Sequence, residues 1–137
     1  MTIRILVVDD HPAARKGLKT LLNEKSGWEV VGEASDGLEA LDKAESLQPD
    51  VVLLDITMPK VNGLEVCRLL KQKEAAPEIL IVSQHDSPHM LREALDAGAR
   101  GYVVKSNAGR DLLEAVDAVS QHRAFVPQAQ RENPTSS

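Results

Sequence analysis

Five short runs rich in Val, Ile and Leu, separated by stretches with helical spacing, constrain this chain more than anything else in it. The runs are Ile3 to Val8, Trp28 to Ala34, Val51 to Leu54, Ile79 to Val82 and Gly101 to Val104. Four are nearly continuous, as strands are when helices cover both faces of a parallel sheet; Trp28 to Ala34 carries Glu29 and Glu33 and reads as an edge strand. Between the runs, apolar residues line single helix faces: Leu18, Leu21 and Leu22 in the first stretch, Leu38, Leu41 and Ala44 in the second, Val66, Cys67 and Leu70 in the third. Leu91, Ala94 and Leu95 do so in the fourth, and Leu112, Ala115, Val116 and Val119 in the fifth. Strand then helix, repeated five times, predicts an open α/β fold with right-handed crossovers. Gly27, Pro49 and Gly98 punctuate it, and Ser106 or Asn107 can cap the last helix.

The 137 residues suit one domain that needs neither disulfides nor a structural metal. That domain is expected over residues 1–122. From Arg123 the periodicity dissolves into AFVPQAQRENPTSS, which reads as a linker or frayed tail. No apolar run approaches the roughly 20 residues of a membrane span. Acidic residues close the N-terminal apolar stretch where a secretory signal would carry a cleavage site. A lone cysteine, Cys67, suits a reducing compartment, so a cytoplasmic location is expected. A net charge of -5 has the wrong sign for gripping nucleic-acid phosphates, and Trp28, Tyr102 and Phe125 are too few for a stacking platform.

Polar residues fall at the carboxyl ends of four runs: Asp9 and Asp10 after the first, Asp55 after the third, Ser83 after the fourth and Lys105 after the fifth. In an open parallel sheet those ends share one edge, and ligands bind there where the strand order reverses. With the order 2-1-3-4-5, Asp9, Asp10 and Asp55 converge. Three close carboxylates are tolerable at neutral pH when a cation sits among them, and an all-oxygen set suits Mg²⁺. Asp55 is then free to attack phosphorus, with Lys105 neutralising the phosphoryl oxygens and the Ser83 hydroxyl donating to one of them. Singly, each residue has a plainer role: Asp10 as an N-cap before Pro12, Asp55 as a turn residue before Met58 and Pro59, Ser83 as a strand-end hydroxyl and Lys105 as a solvated charge. Their joint placement favours the phosphoryl site.

The segments ILVVDDHP, VVLLDITMPKVNGLEV, IVSQHD and ARGYVVKS resemble the receiver domain of two-component response regulators, over about Ile3 to His122. The resemblance implies a five-stranded parallel sheet flanked by five helices. It makes Asp9 and Asp10 the acidic pair at Mg²⁺, Asp55 the phosphoacceptor and the Thr57 carbonyl a further metal ligand. Ser83 and Lys105 would contact the phosphoryl group, and Tyr102 would be the switch aromatic that turns inward on phosphorylation. A sensor histidine kinase or phosphotransfer protein is the implied donor, with a possible homodimer on phosphorylation. Such a domain assists its own phosphorylation and dephosphorylation and is not a turnover enzyme. Many receivers have proline after the lysine, often with a cis bond; Ser106 stands here, and a cis bond without proline costs about 3 kcal/mol, so a trans bond is expected. Thr57 and His85 occupy the two positions that line the attacking water's path in the family.

Haloacid-dehalogenase-like phosphatases also use a strand-end aspartate with Mg²⁺ and a lysine, but place it in a DxD pattern after the first strand, whereas here that pair is adjacent. A degenerate receiver that binds without phosphorylation would lack site residues that are all present. His85 and His89 have the spacing of a helical zinc pair, yet Pro88 between them starts a helix and argues for solvated side chains. Cys67 reads as a buried small hydrophobe and Trp28 as edge packing. Tyr102 to Lys105 and the ending AFVPQAQ resemble regulators in which a helix-turn-helix output domain follows the receiver; no such domain lies within these residues.

Overall fold

In a computed structural model of the chain, residues 2–58 and 62–128 are described. Strands β1 (Ile3–Val8), β2 (Trp28–Ala34), β3 (Val51–Leu54), β4 (Glu78–Ser83) and β5 (Gly101–Val104) alternate with helices α1 (Pro12–Leu22), α2 (Gly37–Leu47), α3 (Gly63–Lys71), α4 (Pro88–Asp96) and α5 (Ala108–Ser120). The sheet is parallel throughout, in the order β2-β1-β3-β4-β5. The continuous runs are the buried strands: every residue of β3, β4 and β5 is buried, whereas β2 is mostly half-exposed at its edge.

Alternation across the sheet sorts the core into two layers. Leu6, Val8, Val52, Leu54, Ile79 and Ile81 pack under α2, α3 and α4 through Ala40, Val66, Leu70 and Ala94. Ile5, Val7, Val51, Leu53, Leu80 and Val103 pack under α1 and α5 through Leu18, Leu22, Leu112 and Val116. Cys67 lies wholly buried in the first layer, and burial pushes its thiol up to about 11, which suits a packing role.

β4 begins at Glu78, not Ile79, and ends at Ser83, not Val82. A buried carboxylate opens the strand because two cations and an imidazole meet it: Arg100 Nε at 3.1 Å, Lys71 Nζ at 3.4 Å and His122 Nδ1 at 2.6 Å. Burial alone would raise the Glu78 pKa, but these partners together hold it below the ordinary value.

Packing also continues past His122, where the periodic pattern stops. Phe125 is only 4% exposed and forms a parallel bridge with Gly101. Its carbonyl accepts from the Tyr102 N–H at 2.9 Å, and its own N–H donates to the Arg100 carbonyl at 3.3 Å. A Cβ on Gly101 would stand 2.9 Å from Val119 and 3.2 Å from the Phe125 carbonyl, so the bare glycine admits this close pass. Residues 123–126 thus cover part of the β5 edge, while 129–137 of the expected tail lie outside the described residues. Phe125→Ala should cost about 3 kcal/mol, as truncation of a buried aromatic does, in urea denaturation. An unchanged midpoint would contradict the packing.

Candidate functional site

The chain reversal after β1 is where the acidic pair is placed. β1 ends at Val8; the Asp9 N–H donates to the Ala34 carbonyl at 3.0 Å, and the next strand pair closes with Asp55 N–H on the Val8 carbonyl at 3.0 Å. Because β1 and β3 are neighbours, Asp9 and Asp55 stand side by side at their carboxyl ends. α1 begins at Pro12 with His11 as N-cap and no side-chain cap, so Asp10 does not serve as the cap residue. The carboxylates of Asp9, Asp10 and Asp55 and the His11 ring offer ligand atoms within 4.8 Å of one another.

Lys105 comes from the far side. It opens a 3-10 turn, Lys105–Asn107, directly after β5, and its Nζ lies 2.7 Å from Asp9 Oδ2 and 3.2 Å from Asp55 Oδ2. Burial opposes its charge, but the two carboxylates outweigh that and raise its pKa. Asp55 is 3% exposed, and burial, with Asp9 adding repulsion, raises its pKa despite the Lys105 cation. Asn107 is the N-cap of α5 but makes no side-chain cap bond. The Lys105–Ser106 bond is trans, as expected, since no cis peptide occurs among the described residues.

Two buried oxygens here lack hydrogen-bond partners among the described residues: Asp9 Oδ2 and Asp10 Oδ1. Lys105 Nζ lies 2.7 Å from Asp9 Oδ2 and His11 Nδ1 lies 3.0 Å from Asp10 Oδ1. Orphaned carboxylate oxygens in a convergent set are what a hard divalent cation satisfies, so the donor set fits Mg²⁺. His11 is a member of this group that the sequence reading passed over. Its N–H donates to Asp9 Oδ1 at 2.9 Å and its ring lies 3.2 Å from the same atom. The run DDHP was the available signal.

Thr57 lies against Asp55, and Ser83, His85 and Tyr102 form a hydrogen-bonded group at the neighbouring strand ends. The Thr57 N–H is 3.4 Å from Asp55 Oδ1, and the Thr57 hydroxyl is 3.3 Å from His85 Nε2. His89 faces Glu93 at 3.5 Å instead, so the two histidines do not share a partner. Ser83 is fully buried at the end of β4, beside Val104 in register, and its hydroxyl oxygen accepts from the His85 N–H at 3.1 Å. The Tyr102 ring is already inside, 1% exposed, with its hydroxyl donating to the His85 carbonyl at 2.7 Å. Burial raises its pKa. Pro59 lies outside the described residues.

Gly63 underlies the Asp55 turn. Its N–H donates to the Ile56 carbonyl at 2.8 Å, and a Cβ there would stand 2.1 Å from the Asp55 carbonyl oxygen. α3 can start against the turn only because this residue has no side chain; Asn62 caps it through the Glu65 N–H at 3.0 Å.

The chain is similar to known proteins in both sequence and fold. The family model described as the response regulator receiver domain matches residues 5–117. The chain is 40% identical to the transcriptional regulatory protein DegU of Brevibacillus brevis, over 90% of this chain and 52% of that protein. It is 42% identical to the nitrate/nitrite response regulator protein NarL of Escherichia coli K12, over 91% of this chain and 58% of NarL. The chain therefore spans a little over half the length of these relatives. A crystal structure of a two-component response regulator of the LuxR family from Aurantimonas sp. SI85-9A1 superposes with a TM-score of 0.92 at 34% identity, covering 99% of this chain and 97% of that one. The chain belongs to the response-regulator receiver family.

Proposed function

We propose that the chain is a phosphorylation-dependent switch in which Asp55 accepts a phosphoryl group from a histidine kinase or phosphotransfer protein. The observation that carries this is the convergence of buried Asp9 and Asp55 with half-buried Asp10, with Lys105 between Asp9 and Asp55. Asp9, Asp10 and Asp55 would hold Mg²⁺, with the Thr57 carbonyl as a further ligand; when bound, the ion offsets charge on the transferring phosphoryl oxygens. An Asp55 oxygen forms the bond to phosphorus as the bond to the donor nitrogen breaks, and that nitrogen keeps the electron pair. Lys105, displaced from its carboxylates, binds a phosphoryl oxygen, and the Ser83 hydroxyl donates to another. Tyr102, hydrogen-bonded to the residue after next along the Ser83 loop, links this loop to β5.

The relatives' names as transcriptional and response regulators support relay to a transcriptional output, with self-association on phosphorylation as part of the same reading. The chain is then a phosphoacceptor that promotes its own phosphorylation and dephosphorylation. The haloacid-dehalogenase-like alternative draws no support from the family match. No helix among the described residues is long and apolar enough to cross a membrane, which agrees with a cytoplasmic switch. The test is incubation with acetyl phosphate and Mg²⁺ followed by intact mass spectrometry. One base-labile phosphoryl adduct is expected, lost when the metal is chelated; no adduct, or one independent of Mg²⁺, would overturn the reading.

A further inference from the structure

Asp9 places its carboxylate correctly only if its main chain is held, and both its N–H and its carbonyl are bonded, one to the end of β2 and the other to α1. The N–H is tied to Ala34 at the end of β2. The carbonyl accepts from Arg15 Nη1 at 2.7 Å, across from α1. Arg15 is itself anchored: its Nε donates to Glu33 Oε1 at 3.2 Å, and Lys19 Nζ occupies Glu33 Oε2 at 2.7 Å. Lys43 of α2 adds a hydrogen bond to the Glu33 carbonyl. Lys19 first, and Arg15 after it, keep the Glu33 carboxyl below its ordinary pKa, so the anchor stays ionised. Arg15 is only 19% exposed and reaches no ligand position itself.

The geometry points to Arg15 as a positioning residue for the cation site: braced on Glu33, its guanidinium fixes the Asp9 carbonyl and thereby the direction in which the Asp9 and Asp10 carboxylates face. This rests on the reading of the acidic pocket as a Mg²⁺ site. A guanidinium suits the task because its planar fork serves the Glu33 carboxylate and the Asp9 carbonyl together, which a lysine's single ammonium cannot do in the same geometry. It also lays positive potential behind three carboxylates without taking a ligand place. Residues that orient metal ligands in this way commonly change metal affinity by about 10-fold or more when removed.

The experiment measures Mg²⁺ affinity by titration calorimetry, and the Mg²⁺ dependence of acetyl phosphate labelling, in the wild type, Arg15→Met, Arg15→Lys, Glu33→Gln, the Arg15→Met/Glu33→Gln pair and Lys16→Met. Arg15→Met is expected to raise the Mg²⁺ dissociation constant about 10-fold, while its labelling rate at saturating Mg²⁺ returns to the wild-type level. Arg15→Lys should fall between the two. Glu33→Gln should weaken binding by itself yet add nothing to Arg15→Met, because the two act through one contact. Lys16→Met removes the same charge from an exposed position on α1 and should leave affinity unchanged. Unchanged affinity in Arg15→Met, additive loss in the pair, or equal loss in Lys16→Met would overturn the inference while leaving the pocket reading intact. Absence of Mg²⁺ binding in the wild type would overturn both.

Discussion

Lys105→Met is expected to destabilise the metal-free protein by about 3 kcal/mol, because it strips the cation from buried carboxylates that repel one another. Lys105 contacts Asp9 at 2.7 Å and Asp55 at 3.2 Å, and those carboxylates are 1% and 4% exposed. Urea denaturation in a chelator at neutral pH should show the loss. Added Mg²⁺ should recover much of it, since a ligand that binds only the folded state stabilises it by RT ln(1 + L/Kd), where L is the free ligand concentration. Labelling by a phosphodonor should nevertheless fall steeply even at saturating Mg²⁺, as the group proposed to meet the phosphoryl oxygens is gone. Equal stability with and without the lysine would mean that the buried charges are balanced by some other means.

Asp55→Asn is expected to act in the opposite direction on stability while abolishing labelling. The Asp55 pKa is raised above its ordinary 3.8, chiefly by burial, so the folded state prefers the protonated form. The sign follows from linkage. Above the raised pKa the ionised carboxylate costs stability, and that cost is relieved as the pH falls through the folded pKa toward 3.8. An amide of nearly the same shape removes the charge at all pH values, so Asp55→Asn should be more stable than the wild type at pH 7, with the gain shrinking on acidification. Parallel denaturation curves at pH 7 and near pH 4 check this. A less stable variant at pH 7 would show that the Lys105 pairing outweighs the burial and repulsion.

The five strands and the placement of Asp9, Asp10, Asp55 and Lys105 at their carboxyl ends were legible because each depends on a local signal: a continuous apolar run marks a doubly covered strand, and a polar residue at its end marks the ligand edge; the sheet order, and with it the convergence, came with the family resemblance. The edge position of β2 was legible in Glu29 and Glu33 for the same reason. What was not legible depends on contacts between elements. Glu33 reads as the polar side of an edge strand, and only the docking of α1 on β2 turns it into the anchor of Arg15. Glu78 looks like a solvated residue before a strand until Arg100 and His122 are brought to it from distant positions. Phe125 sits among prolines and polar residues with no periodicity, and its burial exists only once α5 returns the chain alongside β5. His11 lay beside the acidic pair in sequence, yet its share in the pocket is set by the turn into α1.

In the proposed function one carboxylate, Asp55, takes the phosphoryl group. The most direct measurement is reductive trapping: the protein is labelled with acetyl phosphate and Mg²⁺, treated with borohydride, and digested for tandem mass spectrometry. An acyl phosphate on an aspartate is reduced to the alcohol, so homoserine is expected at position 55 and nowhere else, with none formed when the metal is chelated. Homoserine at position 9 or 10, or an adduct on a histidine or serine that survives borohydride, would contradict the account.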